Sequence, residues 1–309
     1  MATTLSLTSS YAGKDAAGYI AAAILEANTL AKGGVTVKQN VKFKEVIKKL
    51  ATDANVIKNG GCDFDATGTV TLTERIIQPE EFQVNMQFCT KEFVDSWEAE
   101  SMGFSAYNEP PKDFTAFVMS HVAELVSAST ETNIWEGVNS NAGQFDGLVT
   151  LALADSDVID VASHAAVDSS NVIAKLGSIV DAIPSTLYGK EDLHLYISQN
   201  IARAYVRALG GFASVGSNGY EGRGTNQDLG DNLMFDGVKL FIANGLNDDT
   251  AMAAQKSNLY FGTGLLSDYN QAKIIDMSDI DGSQNFRVIM RYTAGVQYGI
   301  GSEIVLYHA

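Results

Sequence analysis

Residues 111–137 constrain the fold of this chain more than any other stretch. Apolar side chains recur there at spacings of three and four residues, which place them on one face of an α-helix. Pro111 stands in the first helical turn, where proline costs no needed hydrogen bond, and Gly137 is suited to end the helix. At 1.5 Å per residue such a helix is roughly 38 Å long. The apolar positions are Phe114, Phe117, Val118, Val122, Leu125 and Val126.

The composition is that of a globular protein with a strongly acidic balance. The chain has 309 residues, and 37 Asp and Glu outnumber 21 Lys and Arg to give a net charge of −16. The length predicts about two domains, and the charge argues against binding of a nucleic-acid backbone as the main task. No apolar run reaches the length of a membrane span, and Met1–Ser10 lacks the basic start of a signal peptide. With only Cys62 and Cys89, reduced folding in the cytoplasm is expected.

Residues 1–90 are predicted to form a tail followed by a long β-hairpin. The tail contains an Ala-rich helix at Asp15–Ala31, which packs either on its own domain or, as an arm, on a neighbouring subunit. Residues 35–90 alternate apolar and polar side chains, which predicts strands, and Asn59–Gly60–Gly61 is a turn signal between them. A two-stranded hairpin is marginally stable alone in water, so its own domain or another copy of the chain must cover it. The first alternating positions are Val35, Val37, Val41, Phe43 and Val46.

Residues 150–309 are predicted to form one unit of mixed helices and strands. One helix is expected at Asn171–Ile183, capped by Ser169 or Ser170 and ended by Pro184, and another at Asn200–Leu209. A glycine-rich loop follows at residues 210–232. The predicted strands are Leu148–Ala152, Leu193–Ser198, Val238–Asn244, Asn258–Thr263, Phe286–Thr293 and Val296–Tyr307.

The sequence carries no recognisable catalytic or metal-binding motif. Its four histidines are not spaced as in known zinc motifs, and no nucleophile elbow or phosphate-binding loop is present. The acidic turn that includes Asp276, Asp279 and Asp281 departs from the calcium-loop pattern, so a solvated turn is expected there. His121 lies on the apolar face of the long helix, where a core histidine is the expected interpretation. No cofactor and no enzymatic activity are therefore predicted.

Several phrases occur in the order found in one family of known proteins. These are EGVNSNAGQFDGLVT after the long helix, IPSTLYGKEDLHLYISQNIARAYVRALGGF, and the closing FRVIMRYTAGVQYGIGSEIVLY. Together with the tail, the hairpin and the long helix, they make the chain resemble the major capsid protein of tailed bacteriophages with the HK97-type fold. The resemblance covers nearly the whole chain, and it rests on architecture and local phrases rather than on an invariant motif.

The resemblance implies an α+β HK97-like capsid fold with four regions. These are an N-terminal arm at 1–40, the extended E-loop hairpin with P-domain strands at 41–90, the P-domain with its spine helix at 91–137, and the A-domain with closing P-domain strands at 138–309. Contacts between subunits are expected from the tip of the hairpin and from the glycine-rich loop. The residues expected at these contacts are Asn59, Gly60, Gly61, Asp63, Phe64 and Arg223.

The implied function is a structural subunit of an icosahedral phage capsid. Many copies would assemble as hexamers and pentamers in the host cytoplasm, and the virion would enclose double-stranded DNA without binding it tightly or contacting a membrane. Further implied partners are separate scaffolding, portal and decoration proteins. Because the sequence starts at Met1 with no room for a cleaved scaffolding segment, separate scaffolding or none is expected, and no isopeptide cross-link is predicted.

Two other functions stay open from the sequence. An encapsulin-type shell protein of a cellular nanocompartment shares the implied fold, and only genome context or the contents of the particle separates it from a phage capsid. A soluble enzyme with an active site in loop 210–232 belongs to a different class, and it would elute as a monomer or dimer rather than as a large particle.

Overall fold

The structure is a computed structural model of the chain. It describes residues 28–39, 41, 43–52, 57, 59–60, 70–89, 112–162, 164–209, 233–263, 272–283 and 285–309. The chain divides into two compact units. The first consists of Met1–Glu26, Phe82–Ser129 and Ser267–Tyr292, and the second of Ala27–Glu81, Thr130–Leu266 and Thr293–Ala309.

The helices and strands are numbered in chain order. The helices are α1 (Asn28–Ala31), α2 (Lys112–Glu136), α3 (Leu148–Ala154), α4 (Val172–Asp181), α5 (Gln199–Ala208) and α6 (Ser278–Asp281). The strands are β1 (Thr36–Lys38), β2 (Glu45–Thr52), β3 (Val70–Ile77), β4 (Glu80–Cys89), β5 (Ile159–Asp160), β6 (Leu193–Ile197), β7 (Met234–Phe235), β8 (Val238–Ile242), β9 (Ala251–Gln255), β10 (Leu259–Gly262), β11 (Ala272–Asp276), β12 (Asn285–Tyr298) and β13 (Val305–Tyr307). Short 3-10 turns lie at Lys256–Asn258 and Gly301–Glu303.

A mixed sheet forms the centre of the second unit. Its strand order is β5-β13-β9-β6-β8-β7, with parallel pairs at β5–β13 and β6–β8 and antiparallel pairs elsewhere. Helices α4 and α5 contribute Leu176, Ile179 and Ile201 to the core that packs with this sheet. Strands β6 and β9 are almost fully buried along their length, as expected of central strands covered on both faces.

The second unit also contains a short ladder and the hairpin. Strand β1 pairs in parallel with β10, and β10 pairs antiparallel with the end of β12, where Gly262 lies opposite Gly295. Strands β2 and β3 pair antiparallel over their whole length, from Glu45 opposite Ile77 to Thr52 opposite Val70. The predicted hairpin is therefore present, and its base lies at the first of these pairs.

In the first unit, strand β11 pairs antiparallel with the beginning of β12, from Asp276 opposite Phe286 to Ala272 opposite Met290. Strand β4 also pairs with β12. The rings of Phe82 and Tyr292 lie 5.5 Å apart, and the Arg287 Nε–H donates to Gln87 Oε1 at 3.0 Å. Exposed and half-buried residues alternate along most of β4, which confirms the alternation predicted for this segment.

The predicted long helix is confirmed as α2. Val122 and Val126 are buried as predicted, whereas Leu125, which was assigned to the same face, is 42% exposed. The helix ends at Glu136, immediately before Gly137. A Cβ atom at Gly137 would lie 2.1 Å from the carbonyl oxygen of Phe145, so glycine is required by close approach of the following loop. No described helix has the length and apolarity that a membrane crossing requires.

The strand predicted at Leu148–Ala152 is wrong, because this segment is helix α3. The sequence LVTLALA is rich in leucine and alanine, which favour helix over strand. Its buried residues Leu148, Val149 and Ala152 share one helical face. A buried apolar run of this length is compatible with either structure, and its packing decides which one forms.

Three further sequence predictions need correction, and strand β9 was missed. The alternation from Val35 to Val46 does not form one strand: β1 and β2 are separated by residues 39–44, and Phe43 is 73% exposed. The strands predicted at Phe286–Thr293 and Val296–Tyr307 have a different boundary. Strand β12 runs without a break through Ala294 and Gly295 to Tyr298, and β13 begins only at Val305. The Asp168 carboxylate, not Ser169 or Ser170, accepts the backbone N–H groups that precede α4. Strand β9 was not predicted, because AMAAQ lacks the β-branched and aromatic residues typical of strands.

Candidate assembly surface

One face of the β2–β3 hairpin carries apolar side chains that are exposed in the described part of the chain. Residues directly opposite each other in an antiparallel pair point to the same face. Val46 lies opposite Ile76, and Leu72 and Val70 follow along the same face of β3. Their exposed fractions are 42% for Val46, 49% for Ile76, 55% for Leu72 and 63% for Val70. These four residues are called the hairpin surface below.

A weak ion pair lies beside the hairpin surface, on the same face of the hairpin. Lys48 Nζ lies 4.0 Å from Glu74 Oε1, and both side chains are more than half exposed. Exposed pairs of this kind contribute about 0–1 kcal/mol, so this pair adds little to the stability of the hairpin. Ile57, between the two strands, is 96% exposed. The free face therefore presents apolar groups with balanced charge.

The opposite face of the hairpin is fixed to its own unit. Ile47 and Ile77 are buried together with Val41, and Tyr260 packs against them. Ile77 also lies so close to Gly262 that a Cβ atom there would be 2.8 Å from Ile77 Cδ1. Burial of one face and exposure of the other orient the hairpin surface away from the core of its own unit.

A polar cluster holds the base of the hairpin. Arg75 pairs with Asp155 through Nη2 and Oδ2, and the Arg75 guanidinium stands 4.5 Å from the centre of the Tyr298 ring. Tyr298 donates its hydroxyl proton to Asp155 Oδ2 at 2.8 Å. Partial burial by itself would raise the pKa of Asp155, because it disfavours the charged carboxylate. The pKa is nevertheless below its usual value, because the carboxylate accepts hydrogen bonds from the Asp157 N–H, Arg75 and Tyr298. The hairpin is thus tied to the residue that follows α3 and to β12.

A second buried cluster ties α1 to the end of α2. Glu131 is fully buried and accepts hydrogen bonds from the Thr29 N–H at 3.0 Å and the Thr29 hydroxyl at 2.5 Å. The same hydroxyl accepts from Trp135 Nε1 at 2.9 Å. Burial raises the pKa of Glu131, and its hydrogen bonds from Thr29 and the Gly245 N–H offset this only in part. The segment that follows α1 is also held to strand β6, because the Tyr196 hydroxyl donates to the carbonyl oxygen of Gly34.

Of the residues predicted to contact other subunits, Asn59 and Gly60 are described, and both are exposed. Gly61, Asp63, Phe64 and Arg223 lie outside the described residues, as do the Ala-rich helix up to residue 27 and loop 210–232. The predictions for all six residues stay predictions. The sequence reasoning missed Val70, Leu72 and Ile76. The consecutive isoleucines at 76 and 77 could have indicated an exposed apolar face. Neighbouring residues of a strand point to opposite faces, so only one of the two can face the core.

Solved structures with a similar fold include capsid and phage chains. A capsid chain of an empty GTA particle matches with a TM-score of 0.58 and 11% identity over 99% of this chain and 96% of that one. A chain of Mycobacterium phage Adephagia matches with a TM-score of 0.59 and 13% identity over 98% and 94%. A chain of the satellite phage P4 procapsid that includes the size determination protein matches with a TM-score of 0.52 and 9% identity over 91% and 96%.

These likenesses concern the fold. The chain has the mixed helix-and-sheet fold of phage and GTA capsid proteins over nearly its whole length, which confirms the predicted HK97-type fold class. No protein-family model matches the chain. Cysteine synthase 2 of Emericella nidulans is 30% identical in an alignment of 126 residues that covers 39% of this chain and 29% of that enzyme. The chain therefore spans less than a third of the length of the curated protein that it matches. The likeness to the enzyme covers 39% of this chain, whereas the capsid fold covers nearly all of it.

Proposed function

We propose that this protein is a structural, non-enzymatic subunit of an icosahedral phage-type capsid, and that its copies assemble into hexamers and pentamers. The observation that carries the proposal is the match in fold to capsid chains over nearly the full length of both partners. In this proposal, residues 1–40 are the N-terminal arm, 41–90 the E-loop and P-domain strands, 91–137 the P-domain with α2 as the spine helix, and 138–309 the A-domain with closing P-domain strands.

The hairpin surface is the site proposed to make contact between subunits. A two-stranded ribbon with a bare apolar face is marginal in water, and covering that face releases about 25 cal/mol per Å² of apolar area. The occupant proposed is a second copy of this chain. Exposed lysines on and before β2, among them Lys44 and Lys48, can pair with carboxylates of that copy, which carries 37 Asp and Glu. Such contacts between unlike surfaces form closed rings when the rotation from one copy to the next divides a full turn, as it does in hexamers and pentamers.

The acidic charge of the subunit is compatible with a shell that encloses DNA without binding it tightly. A protein that held DNA through its phosphates would need clustered lysine and arginine, whereas this chain carries 16 more acidic than basic residues. A shell of acidic subunits encloses a genome without holding it tightly. The corresponding location is the virion, after assembly in the host cytoplasm, with separate scaffolding, portal and decoration proteins as further partners.

Substitution on the hairpin surface tests the proposal. The purified wild-type chain should form large closed particles that are visible by electron microscopy and sediment far ahead of a monomer. The double variant Leu72→Glu with Ile76→Glu should stay unassembled, because it places two charges in the contact. The matched control Leu72→Met with Ile76→Val keeps the surface apolar and should assemble like the wild type.

Circular dichroism and thermal unfolding establish that each variant is folded. A wild-type chain that remains a monomer or dimer under all assembly conditions would contradict the capsid function and favour the soluble enzyme. Particles that form equally well from the charged double variant would leave the fold-based function intact and remove the hairpin surface from the contact.

The contents of particles from the native source separate the two kinds of shell. A phage capsid should protect double-stranded DNA from added nuclease. Particles that hold an enzyme and no nucleic acid would contradict the phage function and identify the encapsulin-type alternative.

A further inference from the structure

Three side chains with metal-binding chemistry meet at the edge of the mixed sheet in the second unit. Asp160 belongs to the edge strand β5, His164 follows it, and His308 follows the neighbouring strand β13. His164 Nε2 lies 3.4 Å from Asp160 Oδ2, and His308 Nε2 lies 4.0 Å from Asp160 Oδ1. One ligand atom from each residue lies within 4.8 Å of the other two.

The proton position on His164 is set by the backbone. His164 Nδ1 lies 2.5 Å from the carbonyl oxygen of His308. A carbonyl oxygen can only accept, so Nδ1 must carry the proton, and in the neutral ring the lone pair is then on Nε2. Nε2 is the atom that faces Asp160. Histidines that bind metals are held in this way, with one ring nitrogen donating to an oxygen and the other free for the ion.

The separations are close to those around a bound zinc ion. With bonds of about 2.0–2.2 Å to nitrogen and oxygen, the ligand atoms of a tetrahedral zinc site lie about 3.3–3.5 Å apart. The 3.4 Å between His164 Nε2 and Asp160 Oδ2 meets this value. The 4.0 Å of His308 Nε2 is measured to the other carboxylate oxygen, Oδ1, so a site that uses one oxygen of Asp160 needs a further shift of the His308 ring. Both imidazoles are about one third exposed and can make that shift by side-chain rotation.

We propose that Asp160, His164 and His308 form a binding site for a divalent transition-metal ion, with Zn²⁺ as the best-suited ion. Two imidazoles and a carboxylate satisfy the ligand preference of Zn²⁺ better than that of Mg²⁺ or Ca²⁺, which prefer oxygen ligands throughout. Three protein ligands leave a fourth position for water. The ion would join β5 to the segment after β13, beside the short parallel pairing of β5 with β13.

Titration of the metal-free full-length protein with ZnCl₂ tests this site. Isothermal calorimetry on protein stripped with EDTA should show one Zn²⁺ bound per chain. Each of the variants Asp160→Asn, His164→Gln and His308→Gln should bind at least about tenfold more weakly, since loss even of a supporting partner typically costs a metal site this much. The matched control His194→Gln alters a histidine of the same sheet outside the cluster and should bind like the wild type.

Two further measurements separate metal binding from a general effect on folding. Zn²⁺ should raise the unfolding temperature of the wild type and of His194→Gln but not of the three ligand variants, because only a ligand of the folded state stabilises it. In EDTA, all variants should unfold close to the wild type. Co²⁺ should give the visible absorption of a site with nitrogen and oxygen ligands.

The proposal is overturned if the wild type shows no saturable binding, or if the ligand variants bind Zn²⁺ as tightly as the wild type.

Discussion

At Thr29, one hydroxyl group serves two buried partners. It donates to Glu131 Oε1 and accepts from Trp135 Nε1, and both of these side chains are fully buried. A buried polar group that loses its partner costs about 1–3 kcal/mol. The sequence gives no sign of this cluster, because Thr29 is separated from Glu131 and Trp135 by about a hundred residues.

Replacing Thr29 by valine should destabilise the protein. The change keeps the shape of the side chain but leaves the Trp135 N–H and one Glu131 oxygen without their partner, so the free energy of unfolding should fall by about 1–3 kcal/mol. Urea denaturation of the unassembled chain measures this loss. Thr29→Ser keeps the hydroxyl and should lose less. A valine variant that is as stable as the wild type, or more stable than the serine variant, would contradict the contribution assigned to the hydrogen bonds of Thr29.

Glu131 should make stability depend on pH in an unusual direction. Its pKa is raised by burial above the ordinary 4.5, so the folded state holds a proton that the unfolded state has already released. The stabilisation is fully present below about pH 4.5 and is lost as the pH rises through the raised pKa. The wild type should therefore gain free energy of unfolding relative to Glu131→Gln when the pH is lowered from 7 towards 4.5.

Denaturant unfolding of the wild type and Glu131→Gln at several pH values measures this difference. Groups that titrate in both proteins contribute equally and drop out of the difference. Glu136 is one of them, and burial raises its pKa as well. A difference that is constant over this range, or that grows as the pH rises, would contradict the protonation assigned to Glu131.

At the scale of elements, two glycines should respond oppositely to alanine. Gly177 lies inside α4, and a Cβ atom there would meet no other atom within 4 Å. Gly237 ends the turn between β7 and β8, where Asp236 has φ 44° and Gly237 has φ 78°. Positive φ at both central residues is the mark of a type I′ hairpin turn, which the Asp-Gly pair favours.

Gly177→Ala should raise the free energy of unfolding by about 0.5–1 kcal/mol, because alanine is the better helix former and nothing obstructs it. Gly237→Ala should lower it by about 1–2 kcal/mol, because an L-residue is disfavoured at that φ. Thermal or chemical unfolding of both variants provides the measurement. Stabilisation by both, or loss in both, would contradict the conformations described for these two positions.

At the scale of the whole molecule, the hairpin is expected to matter for assembly more than for folding. Removing residues 55–69 leaves Asp53 and Ala54 to join Thr52 to Val70, which form the last pair of the hairpin. Two-residue connections are among the commonest in hairpins, so β2 and β3 can still pair. We therefore expect the deletion variant to fold and to fail to form shells.

Electron microscopy and sedimentation report shell formation, and circular dichroism reports folding. A variant in which a Gly/Ser linker of the same length replaces residues 55–69 distinguishes the chemistry of the tip from its length. Complete shells from the deletion variant would show that the hairpin tip is not an assembly element.

The sequence by itself determined the elements whose signal is local. The apolar spacing from Phe114 to Val126 and the glycine at 137 are sufficient to predict α2, because a helix is stabilised by contacts three and four residues apart. The order of local phrases predicted the fold that the capsid chains share. The Asp236–Gly237 turn was not predicted, although its signal is a single dipeptide.

Only the tertiary structure decided what depends on distant partners. It made Ala251–Gln255 a central strand, because burial against other elements outweighs intrinsic preference in short apolar segments. It also decided that Leu148–Ala154 is a helix, since a short apolar run is compatible with either structure. It also decided that Ile77 is buried while Ile76 is exposed, and it brought His164 to His308 across 144 positions of the chain. Local spacing cannot carry such information, since these contacts form only when the sheet places residues far apart in sequence on neighbouring strands.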